Sequence, residues 1–269
     1  MTLRVRPHEP DDRGVVMEIT PQSAGWDHVG FAVARLEAGQ RLSGAEADRE
    51  TCLVILTGTA DVEAGAQRFE AIGGRASVFS DEAPAAVYVP AGTPFAVVAR
   101  NPVEIALCSA PGLPGREARL IDPATMSREV RGAGTNQRFV RNILPETEPA
   151  DSLLVVEVIT PGGHWSSYPP HKHDTQSDGE ETALEETYYH RLNPPQGFAF
   201  QRVYTDDRSL DEAITVEDGD VVMVPRGYHP AGAPHGYDLY YLNVMAGPTR
   251  EWIFRNDPAH DWIVRSPPR

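Results

Sequence analysis

The second half of the chain contains two histidines at a spacing suited to metal binding. His171 and His173 are separated by one residue, and side chains two residues apart on a β-strand project from the same face. Their imidazole nitrogens are therefore placed to bind one divalent ion. An isolated pair of this kind is more often two solvent-exposed histidines at a loop end, so the neighbouring motifs decide between these interpretations.

Two further motifs favour the metal site. Glu186 begins a strand-like run thirteen residues after His173, and a later strand ends in the turn Pro225-Arg-Gly227-Tyr-His229. The order HxH, Glu and G-x5-P-x-G-x-H is the pattern of a cupin, whose two motifs lie on neighbouring strands of a small jelly roll. Three histidines and one carboxylate leave coordination positions open, as a catalytic metal site requires.

The identity of the carboxylate ligand is less firmly determined. Glu185 and Glu186 are adjacent, so they face opposite sides of a strand. Glu186 is preferred because the apolar run follows it directly and because Tyr188 and His190 share its strand parity. Glu185 remains the alternative, and the acidic loop 176–181 has no assigned role.

Three residues are candidates for catalysis. Arg202, in the run QRVYTDD, suits bidentate binding of a substrate carboxylate, and a surface salt bridge to Asp206 or Asp207 is the alternative. Tyr188 is a candidate for hydrogen bonding or acid–base chemistry, with packing as its alternative. Glu186 is the third, because a metal ligand can also transfer a proton.

Short strand-like segments surround these residues. Apolar, β-branched runs such as CLVIL (52–56), FAVVA (95–99) and VVMVP (221–225) are separated by turns rich in Gly and Pro, of which the chain has 23 and 24. Many short strands at regular spacing favour a sandwich or barrel. The sequence therefore predicts an all-β fold.

The two halves of the chain carry similar features in the same order. A Pro-x-Gly turn follows an apolar strand at both Pro90 and Pro225, with a Pro- and Gly-rich stretch between the halves. This repeat predicts two copies of one β-barrel, over residues 1–130 and 131–269. The first copy lacks metal ligands, because no HxH precedes its LVILTGTADV strand and no histidine follows the turn at Pro90.

Composition excludes several classes of function. The chain has 24 basic and 39 acidic side chains and a formal charge of −15, which opposes nonspecific binding to nucleic acid. No run approaches the ~18 apolar residues of a membrane helix. Cys52 and Cys108 are too few for a disulfide framework, so we expect a cytoplasmic protein without nucleic-acid or membrane partners.

Long runs in the second half resemble a known family. They are SSYPPHKHD (166–174), LEETYY (184–189), QGFAFQRVYTDD (196–207), DGDVVMVPRGYHP (218–230) and GYDLYYLNVMAGP (236–248). Together they are similar to the 5-deoxy-glucuronate isomerase family of myo-inositol catabolism. The similarity is densest from about Asn142 to Trp262, and the first half matches more loosely in the same order.

The resemblance implies a bicupin, in which two jelly-roll barrels share one chain and the second barrel holds the metal. It implies His171, His173, Glu186 and His229 as ligands of one divalent ion, for which Zn, Mn and Fe are candidates. It also implies a small sugar acid as substrate: 5-deoxy-D-glucuronate is converted to 5-dehydro-2-deoxy-D-gluconate without an organic cofactor. A homo-oligomer is left open.

Two other functions fit a site of this composition. An iron-dependent cupin dioxygenase also uses histidine and carboxylate ligands with open positions, and it would consume oxygen where an isomerase would not. A non-catalytic sugar-binding bicupin would use its metal only for structure. A metal-free protein that stays folded but loses turnover would exclude that role.

Overall fold

Strands form nearly all the regular structure of residues 2–265, which are the residues described by this computed structural model. The helices are α1 (Pro21–Ala24), α2 (Trp262–Arg265) and one 3-10 turn, Gly134–Asn136. The predicted all-β fold is therefore confirmed. Within the described residues, no helix is long and apolar enough to cross a membrane.

The strands are, in chain order, β1 (Arg4–Val5), β2 (Val15–Ile19), β3 (Gly30–Leu36), β4 (Arg41–Gly44), β5 (Arg49–Thr57), β6 (Thr59–Ala64), β7 (Gln67–Gly73), β8 (Ala86–Val89), β9 (Phe95–Ala99), β10 (Val103–Pro111), β11 (Arg119–Ile121), β12 (Ser127–Arg131), β13 (Arg138–Leu144), β14 (Leu154–Thr160), β15 (Trp165–Ser166), β16 (His171–Lys172), β17 (Asp174–Ser177), β18 (Glu181–Ala183), β19 (Glu185–Asn193), β20 (Ala199–Tyr204), β21 (Asp211–Val216), β22 (Val221–Val224), β23 (Ala231–Gly232), β24 (Asp238–Ala246) and β25 (Arg255–Asn256).

These strands form two compact units. One unit comprises residues 7–127 and 142–155, and the other comprises residues 2–6, 128–141 and 156–265. The first unit contains a six-stranded sheet of order β11-β8-β5-β10-β3-β2 and a four-stranded sheet of order β4-β9-β6-β7. Alternate side chains of these strands fill one apolar core that includes residues of both sheets.

The first unit also buries polar groups that are fully paired. Glu50 on β5 is inaccessible to solvent, and its carboxylate accepts hydrogen bonds from the Tyr88 hydroxyl and from the backbone N–H groups of Asp151, Ser152 and Leu153. Four donors offset the cost of burying the charge. Glu50 thereby holds the 151–153 turn against β5.

Cys52 and Cys108 face each other across β5 and β10 as free, fully buried thiols. Burial raises the pKa of the Cys52 thiol to about 12. A thiol with such a pKa stays protonated at neutral pH and behaves as a small apolar side chain.

The second unit contains the elements that carry the candidate site. Its seven-stranded sheet has the order β1-β22-β19-β24-β14-β13-β12, and its four-stranded sheet has the order β15-β23-β20-β21. Strand β19 pairs with both β22 and β24, so Glu186 is flanked by Val224 on one side and Met245 on the other. The same unit also contains two two-stranded sheets, β16–β25 and β17–β18.

The edge of the seven-stranded sheet is formed by the beginning of the chain. In β1, Arg4 and Val5 pair antiparallel with Val222 and Val221. The Arg4 guanidinium lies 2.6 Å from the buried carboxylate of Asp220. A strand of only two residues is thus attached to the sheet by its backbone and by an ion pair.

Candidate metal centre

Four residues from separate parts of the second unit converge on one point. His171 lies on the short strand β16, His173 follows it directly, Glu186 lies near the start of β19, and His229 follows the turn after β22. All four side chains are buried. Strand β19 brings Glu186 and the end of β22 together, because Glu186 is paired with Val224.

The ligand atoms of these residues are close enough to share one ion. One nitrogen from each of the three histidines lies within 4.8 Å of the others. Glu186 Oε2 lies 3.1 Å from His173 Nε2 and 3.2 Å from His229 Nε2. Glu186 is thus placed beside these nitrogens, and its role as a metal ligand stays a prediction.

Backbone carbonyls determine which nitrogen of each histidine is available. His173 Nδ1 lies 3.2 Å from the carbonyl oxygen of Leu184, and His229 Nδ1 lies 2.8 Å from that of Gly227. A carbonyl accepts hydrogen bonds only, so Nδ1 of both rings carries a proton, and the Nε2 of neutral His229 carries a lone pair. The Nε2 of His229 is buried and has no hydrogen-bond partner among the described residues.

The electrostatics of the cluster favour a cation between these atoms. Burial lowers the pKa of His229 to about 4, and burial together with the two other histidines lowers that of His171 well below its usual range. Burial also opposes protonation of His173, but its hydrogen bond to Glu186, the negative charge of Glu186 and backbone hydrogen bonds together raise its pKa. The neutral imidazoles of His171 and His229 and the carboxylate of Glu186 offer electron pairs, which suits a divalent ion.

The turn that carries His229 depends on a glycine. Gly227 has a φ of +91°, and a Cβ at this position would lie 2.5 Å from the carbonyl oxygen of Tyr204. The Gly227 N–H donates to Asp174 at 2.8 Å, which joins this turn to the segment after His173. This hydrogen bond therefore connects the His229 turn with the segment that follows the His171–His173 motif.

Lys172 points away from the cluster, as alternation along the strand predicts. Its Nζ lies 2.8 Å from Asp174 and 3.1 Å from Asp206. The acidic loop 176–181 also has a structural contact here: Glu181 is buried and accepts hydrogen bonds from the backbone of Asp174 and Thr175. The loop is therefore anchored beside the HxH motif.

Tyr188 is brought beside the histidines. Its ring centroid lies 5.7 Å from that of His229, and its hydroxyl lies 2.9 Å from Ser167 Oγ. Burial raises the pKa of Tyr188 well above its usual range. The side chain is therefore a neutral phenol that can donate a hydrogen bond.

Arg202 is not brought to the histidines. Its side chain is 46% exposed, and its Nε and Nη2 atoms each lie 2.8 Å from an oxygen of Asp211. Gln201, the residue before it on β20, faces inward instead, so strand alternation directs Arg202 outward. The structure thus shows the alternative of a surface salt bridge, with Asp211 as partner where Asp206 or Asp207 was expected.

Further polar residues adjoin the cluster without having been assigned from the sequence. His190 Nε2 lies 3.0 Å from Gln201 Oε1, and the Gln201 amide donates to the backbone carbonyl of His229 at 3.4 Å. Tyr241 is hydrogen-bonded to Ser166. The strand parity that His190 shares with Glu186 was a usable signal, whereas nothing in the sequence pattern pointed to Gln201 or Ser166.

A nearly all-β fold with a buried three-histidine group and a glutamate beside it defines a cupin-like protein. Solved structures agree with this class: an oxalate decarboxylase from Lactobacillus farciminis is similar, with a TM-score of 0.66 at 14% identity, covering 99% of this chain and 91% of that one. At this identity the similarity concerns the fold alone.

The chain belongs to the KduI/IolB family, whose model matches residues 3–263. A curated relative from Geobacillus kaustophilus, named 5-deoxy-glucuronate isomerase, is 55% identical over 98% of this chain and 96% of its own length. One of the same name from Bacillus subtilis strain 168 is 49% identical, over 93% of each chain. The family resemblance and the expectation of an isomerase are confirmed.

A crystal structure within the family is also similar over nearly the whole length. It is that of an IolB-like protein from Salmonella typhimurium LT2, which is 51% identical and has a TM-score of 0.95, covering 98% of this chain and all of that one.

Proposed function

We propose that this chain is a metal-dependent aldose–ketose isomerase that converts 5-deoxy-D-glucuronate to 5-dehydro-2-deoxy-D-gluconate in myo-inositol catabolism. The observation that carries the proposal is the convergence of His173 Nε2 and His229 Nε2 on Glu186 Oε2, with His171 beside them. The substrate is suggested by the curated relatives, which bear the name 5-deoxy-glucuronate isomerase over nearly the full chain.

The residues present fit one divalent ion, held by His171, His173, Glu186 and His229. The unpartnered, buried Nε2 of His229 supports this assignment, and three nitrogens with one carboxylate suit Zn, Mn or Fe. When bound, such an ion supplies Lewis-acid polarisation of a carbonyl group.

The residues of the chain itself supply the remaining chemistry. An aldose–ketose isomerisation moves a proton between neighbouring carbons, which requires a base at the site. We assign proton transfer to Glu186 and hydrogen-bond donation toward the developing oxyanion to Tyr188, which stays neutral. The burial of this cluster limits access of water to the reacting carbons.

We also propose that the two compact units are the barrels of a bicupin, with the main change of unit near residue 130, whereas residues 142–155 lie in the first unit and residues 2–6 in the second. Each unit combines a larger sheet with a four-stranded sheet, and the three-histidine group found among residues 2–265 lies in the second. The free thiols of Cys52 and Cys108 suit a cytoplasmic location.

The function is tested by incubating metal-replete protein with 5-deoxy-D-glucuronate and following the aldehyde proton by NMR. We expect the 2-deoxy-5-keto acid to appear with the wild type and with His235→Ala, which removes an exposed histidine of the same unit, but not with His171→Ala. An unchanged spectrum from metal-loaded wild type would contradict the substrate assignment. Oxygen uptake in the same tube would indicate a dioxygenase instead.

A further inference from the structure

Arg138, the first residue of β13, is a partly buried arginine with few protein contacts. Its Nη1 donates to the carbonyl oxygens of Asn136 at 3.3 Å and Tyr168 at 3.5 Å, and both are long contacts to neutral acceptors. No carboxylate of residues 2–265 forms an ion pair with it. Burial lowers the pKa of this guanidinium, so its surroundings do not compensate for the lost hydration.

Other arginines of the same unit differ in this respect. Six of them bind a carboxylate within 3.7 Å: Arg4 with Asp220, Arg131 with Glu129, Arg141 with Glu157, Arg191 with Asp218, and both Arg202 and Arg208 with Asp211. A guanidinium carries five N–H donors in a planar fork, and those of Arg138 on Nε and Nη2 bind no described residue. This arginine therefore has donors available for an anionic ligand.

Arg138 lies on the side of the unit where the candidate site is. Its contact with Tyr168 joins it to the segment that leads directly into His171, and Ser167 of this segment is bonded to the hydroxyl of Tyr188. Burial raises the pKa of Tyr241, and the positive charge of Arg138 opposes that rise. The guanidinium is thus close enough to act electrostatically on the aromatic residues beside the histidines.

Gly132 leaves room for the side chain of Arg138 because it has no Cβ. Gly132 has a φ of +75°, and a Cβ there would lie 3.0 Å from Arg138 Nη1 and 2.2 Å from the carbonyl oxygen of Asn136. The chain therefore passes close to Nη1 of the guanidinium, and the Nε and Nη2 donors are left for an incoming ligand.

We propose that Arg138 binds the carboxylate group of the substrate, in a bidentate contact that determines preference for a sugar acid over a neutral sugar. The inference rests on the proposed function, because it takes the open-chain uronate as the ligand. The carbonyl end of the substrate lies at the histidine cluster and its carboxylate end at Arg138. In a chain of net charge −15, a local cation also offsets repulsion of the anionic substrate.

The test compares two substrates and three variants. The substrates are 5-deoxy-D-glucuronate and its analogue with a hydroxymethyl group in place of the carboxylate, and the variants are R138Q, R138K and R202Q. We expect R138Q to raise KM for the acid by about 10- to 100-fold, with a smaller change in kcat and no change for the alcohol. R138K keeps the charge but not the planar fork, so it restores part of the affinity.

R202Q is the matched control, because Arg202 is exposed and bound to Asp211, and we expect wild-type KM values. Circular dichroism and metal content establish that each variant is folded and loaded. The proposal is overturned if R138Q impairs both substrates equally, or if R202Q alone raises KM for the acid. If R138Q does not fold, R138K decides, since an unchanged KM for the acid would overturn the proposal.

Calorimetric binding separates failure of this inference from failure of the proposed function. If the wild type turns over neither compound, the isomerase assignment fails and both compounds are titrated into metal-replete wild type and R138Q. A preference for the acid that R138Q abolishes supports the carboxylate contact on its own. Equal binding of acid and alcohol by the wild type, or no binding, overturns it.

Discussion

Among single residues, the buried histidines of the second unit differ in the hydrogen-bond partners of their ring nitrogens. His173 and His229 each present Nδ1 to a backbone carbonyl, so Nε2 is directed at Glu186. His190 is also fully buried, but its Nε2 bonds to the side-chain oxygen of Gln201. It is therefore a hydrogen-bonding residue of the interior, and its effect on stability is separable from metal binding.

We predict that His190 makes the protein less stable in mild acid. Burial lowers its pKa from 6.5 to about 4, so between these values the unfolded chain binds a proton that the folded chain does not. Stability is then complete above pH 6.5 and falls as the pH drops toward 4. Between pH 7.5 and 5.0, metal-free wild type should lose about 2 kcal/mol more unfolding free energy than His190→Gln.

Urea unfolding at the two pH values measures this difference. His235→Gln is the control, because it removes an exposed histidine and should show the same pH dependence as the wild type. Equal losses in wild type and His190→Gln would show that His190 does not titrate in this way.

The residues of the candidate metal centre could be selected from the sequence, whereas the residues around them could not. His171, His173 and His229 occur in motifs whose spacing follows from strand alternation and a tight turn. Arg138 and Ser167 have no such spacing, because their contacts, with Tyr168 and Tyr188 respectively, join separate parts of the chain.

At the level of elements, the turn after β22 positions His229 through the backbone. We predict that Gly227→Ala lowers metal affinity by at least tenfold, because its Cβ would collide with the Tyr204 carbonyl and displace the carbonyl that orients His229. Gly236→Ala is a matched control: Gly236 has the same φ of +91°, but no atom lies within 4 Å of its added Cβ.

Both glycine variants pay the conformational cost of a positive φ, about 1 kcal/mol, so only the steric collision distinguishes them. Isothermal titration of each metal-free variant with Zn²⁺ or Mn²⁺ gives the comparison. Similar affinities for the two variants would mean that the turn does not orient the ligand.

Strand β20 shows why the direction of Arg202 was not predicted. Along this strand, Gln201 is buried while Phe200 is 49% exposed, so a polar residue faces the interior and an aromatic residue faces solvent. Hydrophobic alternation is the signal from which strand direction is read. At Phe200 and Gln201 the polarity of the residue therefore does not indicate its face, although Ala199 and Val203 are buried on the same side as Gln201.

For the whole molecule, we predict that metal binding adds stability without being required for folding. Strand β19 pairs with β22 over four residues and with β24 over nine, and these strands bury their own apolar residues, so we expect the sheet to form without the ion. Metal at 100 times its dissociation constant should add about 2.7 kcal/mol. His171→Ala should lose this increment.

Thermal unfolding with EDTA and with added metal measures the increment, and circular dichroism reports whether the metal-free protein stays folded. Turnover should disappear with EDTA while the far-ultraviolet spectrum is retained. Loss of the spectrum together with the metal would instead indicate a structural ion.

At the same scale, the all-β fold could be predicted from the spacing of short apolar runs and turns. The pairing of residues 4–5 with strand β22 could not. Strand β1 has two residues, Arg4 and Val5, which is too short for any periodic pattern. Its position beside β22 is stabilised by partners more than 200 positions away, including Asp220, and such distant pairing leaves no local trace in the sequence.

This attachment has a consequence for how the protein is made. During synthesis, Arg4 and Val5 leave the ribosome long before Val221 and Val222 are made, so β1 can pair at the edge of the seven-stranded sheet only after β22 exists. A fragment beginning at residue 131 would expose the N–H and C=O groups of β22, a template for association with other chains. We therefore expect β1 to protect the edge of β22 from pairing with other chains.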